Sequence, residues 1–202
     1  MACPPDEVSF ILLELGGGFT AGVAVEQGQI VDGLGGSSGP IGWRSPGALD
    51  GEVAFLAGHI SKAALFQGGV TTMLEREPRR RAVALDAYVE GAVKAVRQLC
   101  CSAPSAGEIL LSGRTAADAE IVERLARALA DLGPVRQLRG FAAKAKQGAQ
   151  GAALLADGLS GGSHAVLVDR LNLREAGGTV LDHLVFISPE AARRRLGIAV
   201  DA

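Results

Sequence analysis

The sequence has few aromatic residues and no excess of either charge. Aromatic residues make up 4% of its 202 residues, and the formal net charge is −2. Proteins that bind nucleic acid usually present a basic patch to the phosphates. The short basic runs at Arg79–Arg81 and Arg193–Arg195 are better explained as solvated helix faces. We therefore expect no nucleic-acid partner.

Cysteines and long apolar runs are also scarce. The chain has only Cys3, Cys100 and Cys101, with no Cys-x-x-Cys pair. Neither a disulfide framework nor a zinc site is therefore expected. No apolar run reaches the roughly 20 residues that span a bilayer, and the N-terminus lacks the features of a signal peptide. These absences predict a cytoplasmic protein with no membrane partner.

Small apolar residues are abundant, and 48% of the chain is hydrophobic. Strands separated by glycine turns are predicted at Val8–Glu14, Thr20–Glu26 and Gln29–Asp32, which makes a β-meander. Helices and strands then alternate, which is typical of an α/β layered domain. These later elements are a helix from Asp50 to about Gln67, a helix from Pro78 to about Cys101, strands at Glu108–Ser112 and Val135–Leu138, helices at Ile121–Leu132 and Gln147–Leu159, a strand at Val180–Ile187 and a short helix at Pro189–Leu196.

Three glycines directly follow the first predicted strand. Gly16, Gly17 and Gly18 allow backbone N–H groups to converge on phosphate oxygens without obstruction by side chains. Thr20 can add a hydroxyl donor, and Glu14 can hold Mg²⁺ through water. The alternative is a tight hairpin that requires glycine and binds nothing.

A second motif is the turn Ser112-Gly113-Arg114 at the end of an apolar strand. Ligands of open α/β sheets gather at the carboxyl ends of the strands. Gly113 allows a nucleoside to lie against the backbone, and Arg114 can stack on a base or reach a phosphate. An ordinary strand-to-helix turn is the alternative.

A third motif is the small-residue face of the predicted helix at Gln147–Leu159. Gly148, Gly151 and Ala152 let a flat ligand approach that helix. The alternative is that a second helix packs there.

The Gly/Ser-rich loop over residues 33–47 is followed by two acids. Asp50 and Glu52 can face an active cleft as catalytic residues, or they can be a helix cap and an acid favoured by the helix dipole. Trp43 in the loop either anchors it to the core or lines a substrate pocket.

The order of these motifs resembles the C-terminal half of the actin-like ATPase superfamily, which includes acetate and sugar kinases. More narrowly, the chain from Val8 to Ile187 resembles an uncharacterised, largely archaeal family described as predicted butyrate kinases. The segments that carry this resemblance are Phe19-Thr-Ala-Gly-Val-Ala-Val-Glu-Gln-Gly-Gln-Ile-Val-Asp-Gly33, Gly47-Ala-Leu-Asp-Gly-Glu52, Ile109-Leu-Leu-Ser-Gly-Arg114, Gln147-Gly-Ala-Gln-Gly-Ala-Ala153 and Gly178-Thr-Val-Leu-Asp182.

The resemblance implies an α/β, ribonuclease H-like (actin-like ATPase) lobe with a mixed sheet, a β-meander and flanking helices. This single C-terminal nucleotide-binding lobe would span residues 8–187, between a tail at 1–7 and a tail or short helix at 188–202. The implied cofactors are ATP and Mg²⁺, and the implied acceptor is a small carboxylate such as butyrate. The implied roles are phosphate binding by Gly16, Gly17, Gly18 and Thr20, and nucleoside binding by Ser112, Gly113, Arg114, Gly148, Gly151 and Ala152. The candidate catalytic residues are Glu14, Asp50 and Glu52, and Glu14 is also the candidate metal ligand.

The sequence departs from the superfamily at its start, because no Asp-x-Gly-Thr hairpin precedes Val8. Phosphoryl transfer rests on positioning and charge stabilisation, to which both lobes of such a kinase contribute. We therefore expect a fragment, a first lobe on a separate chain, or a module that binds a nucleotide or partner without catalysis. The expected partners are a nucleotide, a small carboxylate, the missing lobe or its chain, and further copies in a homo-oligomer.

Overall fold

A five-stranded mixed sheet organises the first of two units in this computed structural model, which describes residues 4–198. The units are Met1–Leu171 and Asn172–Ala202. The predicted domain limits of 8–187 stay a prediction. No helix within residues 4–198 combines the length and the apolar composition needed to cross a bilayer.

The sheet has the strand order β3-β2-β1-β4-β5. β1, β2 and β3 pair antiparallel, while β1 with β4 and β4 with β5 pair parallel. This arrangement confirms the predicted mixed sheet and β-meander. The strands are β1 (Phe10–Leu15), β2 (Thr20–Glu26), β3 (Gln29–Leu34), β4 (Ile109–Ser112) and β5 (Val135–Gln137).

Seven α-helices and several short 3-10 turns complete the described chain. The helices are α1 (Gly51–Ala57), α2 (Val70–Arg76), α3 (Arg81–Cys100), α4 (Ala119–Ala128), α5 (Gln147–Leu159), α6 (Ala165–Arg170) and α7 (Pro189–Leu196). The 3-10 turns are Pro5–Glu7, Lys62–Phe66, Pro78–Arg80, Thr115–Ala117 and Val180–His183.

The core lies between the long helix α3 and the central strands. Alternate residues of β1, namely Ile11, Leu13 and Leu15, are fully buried, as expected for a strand with one face on the core. Leu85 and Leu99 contribute to the buried face of α3, in keeping with its predicted helical period. Each such buried side chain contributes about 1.5–3 kcal/mol of transfer free energy.

The predicted helix from Asp50 to about Gln67 is wrong in its length. Asp50 caps it as expected, since its Oδ1 accepts hydrogen bonds from the amides of Glu52 and Val53. The helix ends at Ala57, because Gly58 has a φ of +67° that leaves the helical region. Helices α2 and α6 were not predicted.

The second unit contains a 3-10 turn and α7 among its described residues. The predicted strand at Val180–Ile187 is wrong. Thr179 Oγ1 accepts a hydrogen bond from the Leu181 amide, and the Asp182 carboxylate accepts one from the Thr179 amide. Thr179 and Asp182 form a capping box, since the Thr179 side chain also accepts from the Asp182 amide, and the box starts a helical turn at Val180–His183 instead of a strand. The predicted helix at Pro189–Leu196 is confirmed.

Candidate functional site

A cleft of about 960 Å³ lies beyond the carboxyl ends of β1 and β4. Its lining combines parts of all three predicted motifs with residues that the sequence did not single out. The lining residues are Glu14, Gly16, Gly17, Gly18, Arg44, Phe66, Gly113, Arg114, Lys146, Gln147, Gly148 and Ala149.

The parallel pairing of β1 with β4 brings the first two motifs together. Glu14 lies opposite Ser112 in the register, and the Ser112 hydroxyl donates a hydrogen bond to Glu14 Oε2. Gly113 follows with a φ of +91°, and a Cβ there would lie 2.5 Å from the carbonyl of Leu15. Only glycine fits this turn without strain, because the backbone is left-handed and packs directly on β1.

The glycine turn exposes backbone to the cleft. The Gly16 amide closes the hairpin by donating to the Phe19 carbonyl at 3.0 Å, and a Cβ at Gly16 would lie 2.9 Å from that oxygen. At Gly17 the three nearest atoms to such a Cβ all belong to the Arg114 side chain, at 3.6–3.9 Å. An anion therefore has space against this turn because glycine has no side chain to fill it.

The loop after β3 folds back onto the hairpin. The amides of Arg44 and Ser45 both donate to the Gly18 carbonyl, at 2.9 and 3.0 Å. The Arg44 guanidinium lies 5.6 Å from the centre of the Phe66 ring, which itself packs edge-on against Phe19. No pattern in the sequence predicted that Arg44 or Phe66 would line the cleft, because they lie on a long loop and on a separate 3-10 turn.

Helix α5 starts at the cleft. Its N-cap residue is Lys146, and no side chain caps its first amides. Gln147 and Gly148 in the first turn line the cleft. The first amides of a helix lack intrahelical partners and carry the positive end of its dipole, so they favour an anion.

The buried side chain of Gln150 holds the segment that leads into α5. Its Oε1 accepts from the Ala142 amide at 2.9 Å, and its Nε2 donates to the carbonyls of Ala142 and Ala145 at 3.0 and 2.7 Å. Gln150 thereby fixes the approach to Lys146 at the cleft.

The charges of the cleft favour an anionic ligand. Arg44, Arg114 and Lys146 are basic, and Glu14 is the acid. Within residues 4–198, none of the four makes an ion pair with another residue. Unpaired cations around exposed amides attract and hold anions.

A buried polar group lies beneath the glycine turn. The Thr115 hydroxyl donates to the Leu15 carbonyl at 3.0 Å and lies 2.8 Å from the Tyr88 hydroxyl. Burial raises the pKa of Tyr88. These contacts join α3, the end of β1 and the 3-10 turn at Thr115–Ala117.

Several residues predicted for the site do not line the cleft. Thr20 is fully buried on the core side of β2, because inward and outward residues alternate along the strand. Asp50 caps α1, and neither it nor Glu52 lines the cleft. Gly151 and Ala152 lie on α5 beyond the first turn, outside the lining.

Two other features bear on the sequence interpretation. Trp43 packs edge-on against Tyr88, with ring centres 5.7 Å apart, and so anchors its loop to the core. Within the described residues, no group of three or more His, Cys, Asp or Glu side chains is placed to hold a metal ion.

The sequence matches a family model described as "Protein of unknown function (DUF1464)" over residues 3–186. No curated protein matches it.

Among solved structures, the chain is similar to acetate kinase from Entamoeba histolytica, with 11% identity and a TM-score of 0.53 over 65% of this chain and 41% of that one. The acetate kinase of Porphyromonas gingivalis is similar at 16% identity, with a TM-score of 0.52 over 63% of this chain and 38% of that one. At these identities the likeness shows the fold alone, which is the kinase-like fold of part of an acetate kinase. The chain spans about two fifths of the length of these kinases.

Proposed function

We propose that this chain, which belongs to the DUF1464 family, is the ATP-binding lobe of a kinase-like phosphotransferase. The observation that carries the proposal is the convergence of a glycine turn, an uncapped helix start and three unpaired basic side chains on one cleft. Phosphate groups are the common biological anions that suit this combination. The shared fold with acetate kinases supports the same assignment.

The proposal includes the finer classification suggested by the sequence. It places residues 8–187 in a ribonuclease H-like lobe of the actin-like ATPase type, similar to the predicted butyrate kinases. ATP is the proposed nucleotide, and a small carboxylate such as butyrate is the proposed acceptor. Attack of a carboxylate oxygen on the γ-phosphorus forms a new P–O bond, breaks the bond to the β-phosphate and releases ADP with an acyl phosphate.

The residues present fit a magnesium ion that is bound mainly by phosphates and water. Mg²⁺ keeps several waters and usually takes only one or two protein carboxylates beside substrate phosphates. Glu14 is the one carboxylate in the cleft lining, and the hydrogen bond from Ser112 orients it. A bound Mg²⁺ would neutralise developing charge on the transferred phosphoryl group.

The chain's own residues would bind and orient the nucleotide. The amides of the glycine turn and of the start of α5 would hold phosphate oxygens, and Arg44 would approach from the opposite loop. Gly113 lines the cleft, and the nucleoside would lie beside it.

Isothermal titration calorimetry with Mg-ATP tests this proposal. Wild-type protein is expected to release or absorb binding heat, and Gly17→Val is expected to abolish it, because the valine side chain fills the space between the turn and Arg114. The matched control is Gly107→Val, since nothing lies within 4 Å of a Cβ at Gly107. Absence of heat from the wild type with ATP, ADP and their magnesium forms would contradict the proposal.

The second candidate is a module that binds a nucleotide or a partner chain without catalysis. At 11% and 16% identity the likeness to acetate kinases shows a shared fold without showing an activity, and this fits a non-catalytic module as well. Trapping of acyl phosphate with hydroxylamine separates the two candidates. Hydroxamate formed from butyrate and Mg-ATP supports the kinase, and nucleotide binding with no hydroxamate supports the module.

A further inference from the structure

We propose that Arg114 binds the phosphates of the nucleotide and not its base. The residue pattern leaves both roles open for this side chain, and the family resemblance implies a role in nucleoside binding. The inference rests on the proposed nucleotide site. It states that this site selects its ligand by the phosphates, through Arg114. Affinity should depend on the number of phosphates far more than on the base.

The first step of the argument is the path of the backbone. β4 ends at Ser112, opposite Glu14, and the left-handed Gly113 then turns the chain against the Leu15 carbonyl. This turn directs the Arg114 side chain along the end of β1 towards the glycine turn.

The second step is the position of the guanidinium. Its Nε and Cζ atoms lie 3.6 and 3.9 Å from where a Cβ of Gly17 would be. An oxygen held by the amides of the glycine turn is therefore within reach of the Arg114 donors. A base stacked on Arg114 would instead require the guanidinium to present its flat face away from this turn.

The third step is that the guanidinium is available. Arg114 is exposed, and within residues 4–198 its side chain makes no hydrogen bond or ion pair. Arginine donors arranged as a fork match phosphate oxygens, and such charge-assisted hydrogen bonds are stronger than neutral ones.

The test compares ATP with adenosine, which shares the base and lacks the phosphates. Calorimetry measures the Kd of ATP, and ligand-detected NMR measures the weaker Kd of adenosine. Arg114→Ala is expected to weaken ATP binding by about tenfold or more and adenosine binding by no more than about twofold. Parallel losses for both ligands, or an unchanged Kd for ATP, would overturn the inference.

Two further variants complete the experiment. Arg114→Lys keeps a charge that contacts phosphate, so it should retain part of the ATP affinity; an ATP affinity as low as that of Arg114→Ala would count against the inference. Arg127→Ala removes an exposed arginine that pairs with Glu123 on α4, and it should leave both Kd values unchanged. If the wild type fails to bind ATP at all, the nucleotide site itself is wrong, which is a different outcome from a wild type that binds ATP independently of Arg114.

Discussion

The Tyr88 hydroxyl lies 2.8 Å from the Thr115 Oγ1, in the buried layer beneath the glycine turn. Thr115 uses its single hydrogen to donate to the Leu15 carbonyl, so Tyr88 must be the donor to Thr115. The oxygen of Tyr88 then remains free to accept from Thr20, whose buried hydroxyl has no partner within normal hydrogen-bond limits in the described chain. The two hydrogen bonds link α3 to the last residue of β1, directly before the glycine turn.

Removing the Tyr88 hydroxyl should destabilise the protein without changing its fold. Tyr88→Phe deletes the donor to Thr115, and the free energy of unfolding is expected to fall by about 1 kcal/mol. Urea denaturation measures it. Thr115→Val should cost more, because it also leaves the buried Leu15 carbonyl without its side-chain partner. An unfolding free energy of Tyr88→Phe at or above that of the wild type would contradict this account of the polar group.

A side chain at Gly113 should be costly. Gly113→Ala puts a Cβ on a left-handed backbone and 2.5 Å from the Leu15 carbonyl, so we expect a loss of about 2 kcal/mol or more in the free energy of unfolding. Gly107→Ala is the control, since its site is open and its φ is not positive. It should be neutral or stabilise by up to about 1 kcal/mol. Equal losses at the two positions would argue against the tight turn.

The segment before α5 should depend on Gln150. Gln150→Leu removes three hydrogen bonds to Ala142 and Ala145, so residues 142–146 should open more often. Limited trypsin digestion reports this opening as faster cleavage after Lys144 and Lys146. Gln98→Leu, on an exposed position of α3, should be cut at the wild-type rate. Unchanged cleavage of Gln150→Leu would show that the segment is held by other contacts.

The start of α6 should be sensitive to acid. Asp157 Oδ2 accepts two hydrogen bonds from His164, one from the side chain at 2.7 Å and one from the amide. These two bonds lower the pKa of Asp157. A lowered pKa in the folded state means that the stabilisation is present above the unfolded carboxyl value of about 3.9 and is lost as the pH falls through the folded value.

Asp157→Asn should therefore be less stable than the wild type near neutral pH, and the difference should shrink below about pH 4. Urea denaturation across this range measures the difference. Glu123→Gln removes an exposed ion pair with Arg127 and should show little effect at any pH. A deficit of Asp157→Asn that stays constant with pH would rule out the carboxylate as its cause.

Local patterns predicted much of the fold. The bounds of β2 and α5 agree with prediction because Gln27-Gly28 and Gly161-Gly162 interrupt clear apolar periods. The strand predicted at Val180–Ile187 failed because Thr179 and Asp182 form a capping box, and this local chemistry outweighed the β-branched residues. A short apolar run does not distinguish a strand from a helical turn by periodicity alone.

The site was predictable where it follows the ends of strands and at the start of α5, where Gly148 lines the cleft. Gly16–Gly18 and Gly113 could be expected to meet, since parallel strands end at the same edge of a sheet. Arg44 and Phe66 could not, because tertiary hydrogen bonds to Gly18 and ring packing bring them to the cleft. The hydroxyl donor expected from Thr20 does not face the cleft, because the pleat of β2 directs that side chain to the core.

Two-dimensional amide NMR during titration with Mg-ATP tests the central claim, that one cleft formed by three separate motifs binds a nucleotide. The account predicts a single saturable set of shifts that includes the amides of Gly16–Gly18, Gly113 and Gly148, the positions that line the cleft. Shifts confined to residues outside this lining, or no shifts at saturating nucleotide, would contradict it.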